Sequence, residues 1–275
     1  STHDYILFFS NRGRVYKLKV YEVPKGSRTS RGRAVINLLP LASDEKIEAV
    51  INVKNFEGDR FLMMATKRGL AKKTPLEAYK SIRKNGIIAI NLRDDDMLFE
   101  VQLTNGKRDI ILATKNGKAI RFNEQDVRPM GRGATGVRGV RISEDDEVLA
   151  MEPVEGSEDL FIITEFGYGK RTSLKYFPLQ KRGGKGVIAF KKGRNRGHIV
   201  TIKPVAKSNE LILVSKDGVV IRISAKSVSC MGRNTSGVRV MRLRKGDLVS
   251  DITKIVQEES KEKEKDKKGE TLRDN

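Results

Sequence analysis

The stretch LATKNGKAIRF, residues 112–122, decides the fold of this chain. An apolar run leads into Asn116-Gly117, and apolar and basic residues alternate after the glycine. Asn-Gly is the dipeptide that a type I′ turn prefers, because both central residues of that turn take positive φ. The stretch therefore predicts two antiparallel strands joined by a tight turn.

The same pattern occurs four more times along the chain. The other copies are FFSNRGRVYKL (8–18), MATKRGLAKKT (64–74), ITEFGYGKRTS (163–173) and LVSKDGVVIRI (213–223). Neighbouring turn glycines are about 50 residues apart. They are Gly13, Gly69, Gly117, Gly167 and Gly218. A period of this size is typical of one propeller blade.

A second glycine follows each turn at a nearly fixed distance and opens a short apolar segment. These glycines are Gly32, Gly86, Gly136, Gly186 and Gly237. An acidic cluster and another apolar run then close the unit, as in DDDMLFEVQL (94–103) and EDDEVLAMEPV (144–154). Each repeat thus predicts, in order, a strand, a turn, a strand, a basic loop, a strand, an acidic turn and a strand.

Four strands per repeat, with no long helical pattern between them, predict an all-β fold. The arrangement that hides the strand edges is a closed ring of about five four-stranded blades, although an elongated β-solenoid or two β-sandwiches fit the same spacing. We expect one domain over residues 1–256, with repeats over 1–56, 57–106, 107–156, 157–207 and 208–256. The composition after it predicts a disordered charged tail at 257–275.

The charge of the chain predicts a polyanionic partner. Its 275 residues include 55 Lys and Arg against 35 Asp and Glu, a net charge of +20. Nucleic acid is the leading partner. A membrane is not expected, because no apolar run approaches the roughly 18 residues of a spanning helix. Trp is absent and aromatic residues are few, so duplex is favoured over single strands, which need stacking platforms.

The positive charge gathers in the strand after each turn and in the loop before the second glycine. If the repeats are equivalent around a ring, these loops form a basic rim on which a curved duplex could lie. The alternative is that the basic residues only solubilise exposed loops. The candidate DNA-binding residues outside the fourth loop are Arg28, Arg31, Arg33, Lys80, Arg83, Lys84, Arg128, Arg132, Arg138, Lys170, Arg171, Arg233 and Arg239.

No motif in the chain predicts an active site, a metal site or a cofactor. The two histidines, His3 and His198, are far apart, and Cys230 is the single cysteine. The acidic groups 94–96 and 144–146 recur at one repeat position, and we interpret them as solvated turns rather than magnesium ligands. We expect this chain to be non-catalytic.

The fourth basic loop, QKRGGKG, carries a specific resemblance. It consists of Gln180, Lys181, Arg182, Gly183, Gly184, Lys185 and Gly186. It resembles the gyrase A box of the C-terminal domain of the DNA gyrase A subunit, as do THDYILFFSNRGRVYKLKVYEVP (2–24) and VRPMGRGATGVRGVRI (127–142). The resemblance extends over residues 1 to about 256.

The resemblance implies a β-pinwheel whose blades exchange a strand, with duplex DNA wrapped around its outer rim with positive handedness. It implies a parent gyrase that uses ATP and magnesium, with a breakage-reunion domain and a gyrase B subunit as partners, in the bacterial cytoplasm at the nucleoid. In that family the box usually lies in the first of six blades, whereas here it lies in the fourth repeat. The chain is therefore expected to lack the family's first blade, or to carry its box elsewhere.

Two other functions fit part of the pattern. A topoisomerase IV C-terminal domain binds DNA but wraps it less, and generally lacks an intact box. A propeller-type interaction scaffold would bind acidic partners on its rim or faces. The intact QKRGGKG favours the gyrase-like function.

Overall fold

The computed structural model describes residues 1–27, 29–30 and 32–255. In that part of the chain every regular element is a β-strand or a 3-10 turn, and the strands form five sheets. The predicted all-β, propeller-like fold is confirmed. Arg28, Arg31 and the tail at 257–275, for which we predicted DNA contacts and disorder, lie outside the described residues.

The strands follow one another in the order that the repeats predict. The first repeat contains β1 (Tyr5–Ser10), β2 (Arg14–Lys19) and β3 (Ile47–Val53). The second contains β4 (Phe61–Thr66), β5 (Leu70–Pro75), β6 (Ile87–Ile88) and β7 (Leu98–Thr104). The third contains β8 (Asp109–Thr114), β9 (Lys118–Asn123), β10 (Val137–Arg138) and β11 (Val148–Val154). The fourth contains β12 (Asp159–Thr164), β13 (Tyr168–Ser173), β14 (Val187–Ile188) and β15 (Ile199–Val205). The fifth contains β16 (Glu210–Ser215), β17 (Val220–Ser224), β18 (Val238–Arg239) and β19 (Val249–Ile255).

Short 3-10 turns follow the second hairpin strand of each repeat. They are Val20–Glu22, Leu76–Tyr79, Glu124–Asp126, Leu174–Tyr176 and Ala225–Ser227. One more turn, Val35–Asn37, lies where the first repeat was expected to form its third strand.

Each of the first four blades is completed by a strand from the next repeat. The first sheet has the order β3-β1-β2-β6, and β6 belongs to the second repeat. In the same way β10, β14 and β18 complete the second, third and fourth sheets. This is the strand exchange that the pinwheel resemblance implied. It could not be read from the spacing, because a two-residue strand carries no sign of which hairpin it pairs with.

The fifth blade differs from the expected four-stranded form. Its sheet has three strands in the order β17-β16-β19, since no later repeat among the described residues supplies a fourth. Val220 is consequently 60% exposed, although its counterpart Val15 in the first blade is fully buried. Val35–Asn37 forms a 3-10 turn and, among the described residues, belongs to none of the sheets.

The hairpin turns of the first four blades need glycine because the segment of the exchanged strand packs directly on them. Gly117 has φ 94°, and its carbonyl oxygen accepts hydrogen bonds from the backbone N–H groups of Ala189 and Phe190 at 2.8 and 3.1 Å. A Cβ on Gly117 would lie 2.5 Å from the carbonyl oxygen of Phe190. The turn glycine therefore serves both the positive φ and the docking of the next repeat.

The core lies between neighbouring blades. In the second, third and fourth blades, the first strand of the hairpin is apolar on both faces, because it packs on a different blade on either side. In β4, Leu62 and Met64 pack towards the first blade, whereas Met63 and Ala65 pack towards the third.

The last strands of the repeats, β3, β7, β11, β15 and β19, pack on one another in that order around the centre of the disc. Among the described residues, β19 and β3 are not joined by comparable packing, so the ring is open at that point rather than closed as expected.

The acidic turns are not wholly solvated, which corrects our interpretation of them. We call β3, β7, β11, β15 and β19 the axial strands; Asp96, Asp146 and Asp247 are buried, and each lies two residues before the start of an axial strand. The Oδ1 atom of Asp146 accepts hydrogen bonds from the backbone N–H groups of Asn116 and Glu147 at 2.9 and 3.0 Å. One carboxylate thus fixes the hairpin turn to the strand that follows, while Glu144 and Asp145 remain exposed.

Candidate nucleic-acid interface

Four basic loops lie along the outer edges of the blades. Each begins after a 3-10 turn and ends at the two-residue strand that completes the preceding sheet. We call them the rim loops; they comprise residues 80–86, 128–136, 178–186 and 229–237. The exchanged strand is the sheet member farthest from the axial strand, so these loops lie on the circumference of the disc. This placement agrees with the basic rim expected from the repeats.

Neighbouring rim loops are joined by backbone hydrogen bonds. The residue three positions after the end of β6, β10 or β14, where the chain leaves the rim, donates its N–H to the next loop. Arg141 donates to the carbonyl oxygen of Gly184 at 2.8 Å, and Lys191 donates to that of Thr235 at 3.0 Å. Asn91 donates to the carbonyl oxygen of Ala134 at 3.3 Å. The rim is therefore a continuous backbone-linked track.

The QKRGGKG loop is held at both ends and in the middle. The N–H of Gln180 donates to the carbonyl oxygen of Arg121 at 2.8 Å, and that of Gly183 donates to Gly139 at 2.6 Å. The Arg182 guanidinium donates to the carbonyl oxygens of Asp126 and Arg138 at 2.9 and 3.1 Å. Arg182 thus braces the loop from below.

The two lysines of the loop point outward. The Lys181 side chain is 91% exposed, with Nζ 3.1 Å from a carboxylate oxygen of Asp126. Lys185 is also exposed. Two exposed cations, one of them paired with Asp126, therefore lie above a fixed backbone, where they can contact phosphates.

The glycines of the loop allow this close packing. Gly186 has φ 68°, and a Cβ there would lie 2.5 Å from the carbonyl oxygen of Ala119. Gly183 has φ 79°, a conformation that other residues rarely adopt.

Most of the other candidate DNA-binding residues lie at the surface. Arg33, Lys80, Arg83, Lys84, Arg128, Arg138 and Arg239 are exposed, and Arg132 and Arg233 are half-buried. An open groove between the first two rim loops is lined by Arg14, Lys17, Lys80, Arg83 and Arg132. This groove brings together cations from three repeats.

Lys170 and Arg171 are buried, unlike the exposed positions that the sequence suggested. Arg171 forms an ion pair with Asp159 at 2.5 Å and donates to the carbonyl oxygen of Val228 at 3.0 Å. The Lys170 ammonium donates to the carbonyl oxygens of Gly232, Arg233 and Thr235. Both side chains hold the following rim loop, so we assign them no direct contact with a phosphate.

Lys72 likewise holds the following rim loop in the second blade. The sequence did not predict this role. Its Nζ donates to the carbonyl oxygens of Ala89 and Arg132 at 2.5 and 2.6 Å. Burial lowers the pKa of Lys72, and likewise that of Lys170, to about 8. The third blade has Ile120 at this position, and Gly184 packs on it. The QKRGGKG loop therefore rests on an apolar side chain where its neighbours rest on an ammonium group.

The axial strands carry a second group of charges, far from the rim. Lys203 Nζ forms an ion pair with Glu152 at 2.5 Å, and Gln102 donates to the Glu100 carboxylate at 3.0 Å. Burial, reinforced by the nearby Glu152 carboxylate, raises the pKa of Glu100 to about 7. Burial also raises the pKa of Glu152.

In residues 1–27, 29–30 and 32–255, no three His, Cys, Asp or Glu side chains are grouped to hold a metal ion. The same part of the chain contains no helix long and apolar enough to cross a membrane.

Comparison with known proteins agrees with this architecture. The family described as "DNA gyrase C-terminal domain, beta-propeller" matches five segments, 4–54, 60–105, 108–155, 158–206 and 209–255. The DNA gyrase A subunit of Haloquadratum walsbyi is 43% identical over 258 residues, 92% of this chain. That of Staphylococcus aureus is 43% identical over 267 residues, 96% of this chain. The chain spans 30% of the length of each of these relatives.

Two solved structures share the fold over nearly the whole chain. A DNA gyrase A C-terminal domain superimposes with a TM-score of 0.81 at 30% identity, covering 93% of this chain and 84% of that one. The C-terminal domain of a DNA topoisomerase IV superimposes with a TM-score of 0.86 at 27% identity, covering 98% and 85%.

Proposed function

This chain belongs to the family of DNA gyrase C-terminal domains, and on that premise we propose that it binds duplex DNA and wraps it around its rim loops. The observation that carries the proposal is the QKRGGKG loop. Its backbone is fixed to the blade below, and Lys181 and Lys185 stand exposed above it. The linked rim loops extend this cationic surface around the disc.

The physical requirement for wrapping is many phosphate contacts on a curved, rigid support. Smooth bending of a 20–30 bp duplex through 40–90° costs on the order of 1–6 kcal/mol. Each Lys or Arg that neutralises a phosphate releases counterions and so favours binding at low salt. Because neighbouring rim loops are joined through their backbones, their cations keep fixed spacing, and the contacts do not have to order the surface first.

The wider activity follows from the family and is part of the same proposal. The wrapped segment, of positive handedness, is presented for passage through the break made by the breakage-reunion domain, so that the parent gyrase introduces negative supercoils. ATP and magnesium serve that parent enzyme together with the gyrase B subunit, while this chain contributes no catalytic group. The enzyme acts in the cytoplasm at the nucleoid.

The test measures DNA topology directly. The chain is bound to nicked circular plasmid, the nick is ligated, and the linking number of the products is compared with that of a protein-free control. Wrapping predicts a positive shift that grows with the ratio of protein to DNA. An unchanged linking number in spite of binding would overturn the wrapping proposal.

A pair of variants tests whether the QKRGGKG loop does the wrapping. We expect Lys181→Ala/Lys185→Ala to reduce the linking-number shift more than it reduces affinity. The matched control is Lys54→Ala/Lys107→Ala, which removes two exposed lysines away from the rim. Equal losses in the two variants would show that only net charge matters.

The second candidate function is that of a topoisomerase IV C-terminal domain. The TM-score of 0.86 to such a domain favours it. It predicts salt-sensitive duplex binding with little or no shift in linking number. The ligation experiment therefore separates the two functions. Equal affinity for duplex DNA and for unrelated polyanions would instead indicate an interaction scaffold.

A further inference from the structure

Unlike the other four repeats, the fourth has no acidic residue in the turn before its axial strand. The second and third repeats have RDDDM (93–97) and SEDDE (143–147) there, whereas the fourth has KKGRNRGH (191–198). We call residues 191–198 the basic turn. Four of its eight residues are Lys or Arg and none is acidic. The rim loops do not include it, and the proposed function does not use it.

The acidic turns of the second and third blades neutralise the cations beside them. Glu147 forms ion pairs with Lys115 at 3.1 Å and with Lys67 at 3.7 Å, and Asp95 pairs with Arg68 at 3.5 Å. Within the described residues, by contrast, no ion pair involves a side chain of the basic turn. Lys191, Lys192 and Arg194 are exposed, and the nearby carboxylate of Asp145 forms no ion pair with them. The positive charge of this turn is therefore available to a ligand.

The position of the basic turn is fixed by the hairpins on either side. The backbone N–H of Glu165 donates to the carbonyl oxygen of His198 at 2.9 Å, and that of Ile199 donates to Lys115 at 3.3 Å. The Glu165 carboxylate accepts from the N–H of His198 at 2.9 Å, so it is directed at the backbone of the turn. The turn lies between the hairpin turns of the third and fourth blades.

An aromatic ring orders two guanidinium groups at the same place. The Arg196 guanidinium carbon lies 3.9 Å from the centroid of the Tyr168 ring, and that of Arg239 lies 5.0 Å from it. Arg239 also donates to the Tyr168 hydroxyl at 2.5 Å. Guanidinium groups held on an aromatic face lose less freedom when they bind an anion. Arg239 belongs to the exchanged strand β18, so this group connects the basic turn to the rim.

The basic turn and the QKRGGKG loop flank one short strand. Lys185 precedes β14 and Lys191 follows it, six residues later, which limits their separation to about 21 Å even in extended chain. The N–H of Lys191 donates to Thr235 in the last rim loop. A duplex lying on the QKRGGKG loop is therefore within reach of the basic turn.

We propose that the basic turn, with Arg196 and Arg239 ordered on Tyr168, is a second site for the phosphate backbone of duplex DNA. It lies where the rim meets the hairpin-turn face of the fourth blade. The equivalent acidic turns of the second and third blades repel phosphate, so among the second, third and fourth blades only the fourth attracts the duplex off the rim. This inference rests on the proposed DNA binding and adds the place at which the duplex leaves the rim.

The first test compares two triple variants of the whole chain by titration of a fluorescent duplex at several salt concentrations. Lys191→Ser/Lys192→Ser/Arg194→Ser removes three exposed cations of the basic turn. The matched control Lys54→Ser/Lys107→Ser/Lys207→Ser removes three exposed lysines from loops elsewhere. We expect the first variant to flatten the slope of log K against log salt by roughly 2 to 3, about 0.9 for each lost phosphate contact, and the control to leave it nearly unchanged.

The second test locates the contact without changing the protein. The chain is acetylated with an amine-reactive reagent in the absence and presence of duplex, and each lysine is read by mass spectrometry. We expect DNA to protect Lys191 and Lys192 severalfold and to leave Lys54, Lys107 and Lys207 labelled.

The outcomes distinguish this inference from the proposed function. In one outcome, the wild-type protein shifts the linking number, the basic-turn variant keeps the wild-type salt slope, and DNA leaves Lys191 and Lys192 unprotected. That outcome would overturn the second site and leave wrapping intact. If the wild-type chain does not bind duplex at all, the proposed function fails first. Protection of these lysines by an acidic polypeptide but not by duplex would assign the site to a protein partner and overturn the inference.

Discussion

Lys170 Nζ lies 2.5 Å from the carbonyl oxygen of Arg233, so a buried ammonium of the fourth blade holds a loop of the fifth repeat. The same ammonium also donates to Gly232 and Thr235. Replacing Lys170 by Met leaves these carbonyl oxygens without a donor. We expect Lys170→Met to lower the free energy of unfolding by about 2–4 kcal/mol. Chemical unfolding followed by far-ultraviolet circular dichroism measures it.

The matched control is Ile120→Met at the equivalent position of the third blade. A swap between similar apolar volumes should cost less than about 1.5 kcal/mol. Hydrogen exchange adds a local readout, because residues 232–236 should exchange faster in Lys170→Met and the QKRGGKG loop should not. Equal destabilisation by the two variants would show that the ammonium has no special role.

Gly186→Ala tests the seat of the QKRGGKG loop. The substitution places a Cβ 2.5 Å from the carbonyl oxygen of Ala119 at a residue with φ 68°. Gly58→Ala is the control, since Gly58 has φ 86° and nothing within 4 Å of a new Cβ. Positive φ alone costs roughly 1–2 kcal/mol in a residue with a side chain. We expect Gly186→Ala to lose at least about 1 kcal/mol more than Gly58→Ala in thermal or urea unfolding, and to lose more of the linking-number shift. Equal losses would mean that the close approach is relieved without cost.

Asp146→Ala tests the buried carboxylate of the acidic turn. The change removes the acceptor for two backbone N–H groups and should destabilise the chain by about 2–4 kcal/mol. The exposed neighbour Asp145 serves as the control, because surface substitutions usually change stability by less than about 0.5 kcal/mol. Urea unfolding of both variants decides the matter. Similar effects for Asp145→Ala and Asp146→Ala would restore our original interpretation of this cluster as a solvated turn.

Glu100→Gln tests whether the Glu100 carboxylate near the axis makes the stability of the fold depend on pH. Burial raises the pKa of Glu100 from 4.5 to about 7, so between these values the folded state binds more protons than the unfolded state. Stability from this group is fully present below pH 4.5 and is lost as pH rises through about 7. Urea unfolding at pH 5 and pH 8 should show the wild type losing on the order of 2 kcal/mol relative to Glu100→Gln. A difference between the two proteins that does not change with pH would show that the shift is absent.

The sequence predicted the repeated elements well because each one carries a local signal. Asn116-Gly117 marks a turn by its backbone requirements alone, and the two-sided apolar run of β4 marks a strand buried on both faces. The QKRGGKG motif likewise located an exposed basic loop on the rim.

What the sequence could not show depends on contacts between repeats. Lys170 and Lys185 are both basic residues of the fourth repeat, yet one is buried beneath the next rim loop and the other faces solvent. Asp145 and Asp146 are adjacent acids with the same contrast. In each pair the deciding factor is the position of another repeat's backbone, which no pattern within one repeat records. The three-stranded fifth sheet was missed for the same reason.

In each of the four strand exchanges described above, the later repeat supplies a strand to the sheet of the earlier one. During synthesis a blade can therefore be finished only after the following hairpin and rim loop have left the ribosome. Until then its edge is open to any other extended chain nearby. Assembly of the disc is vectorial, and its vulnerable edge moves forward with each repeat that is made.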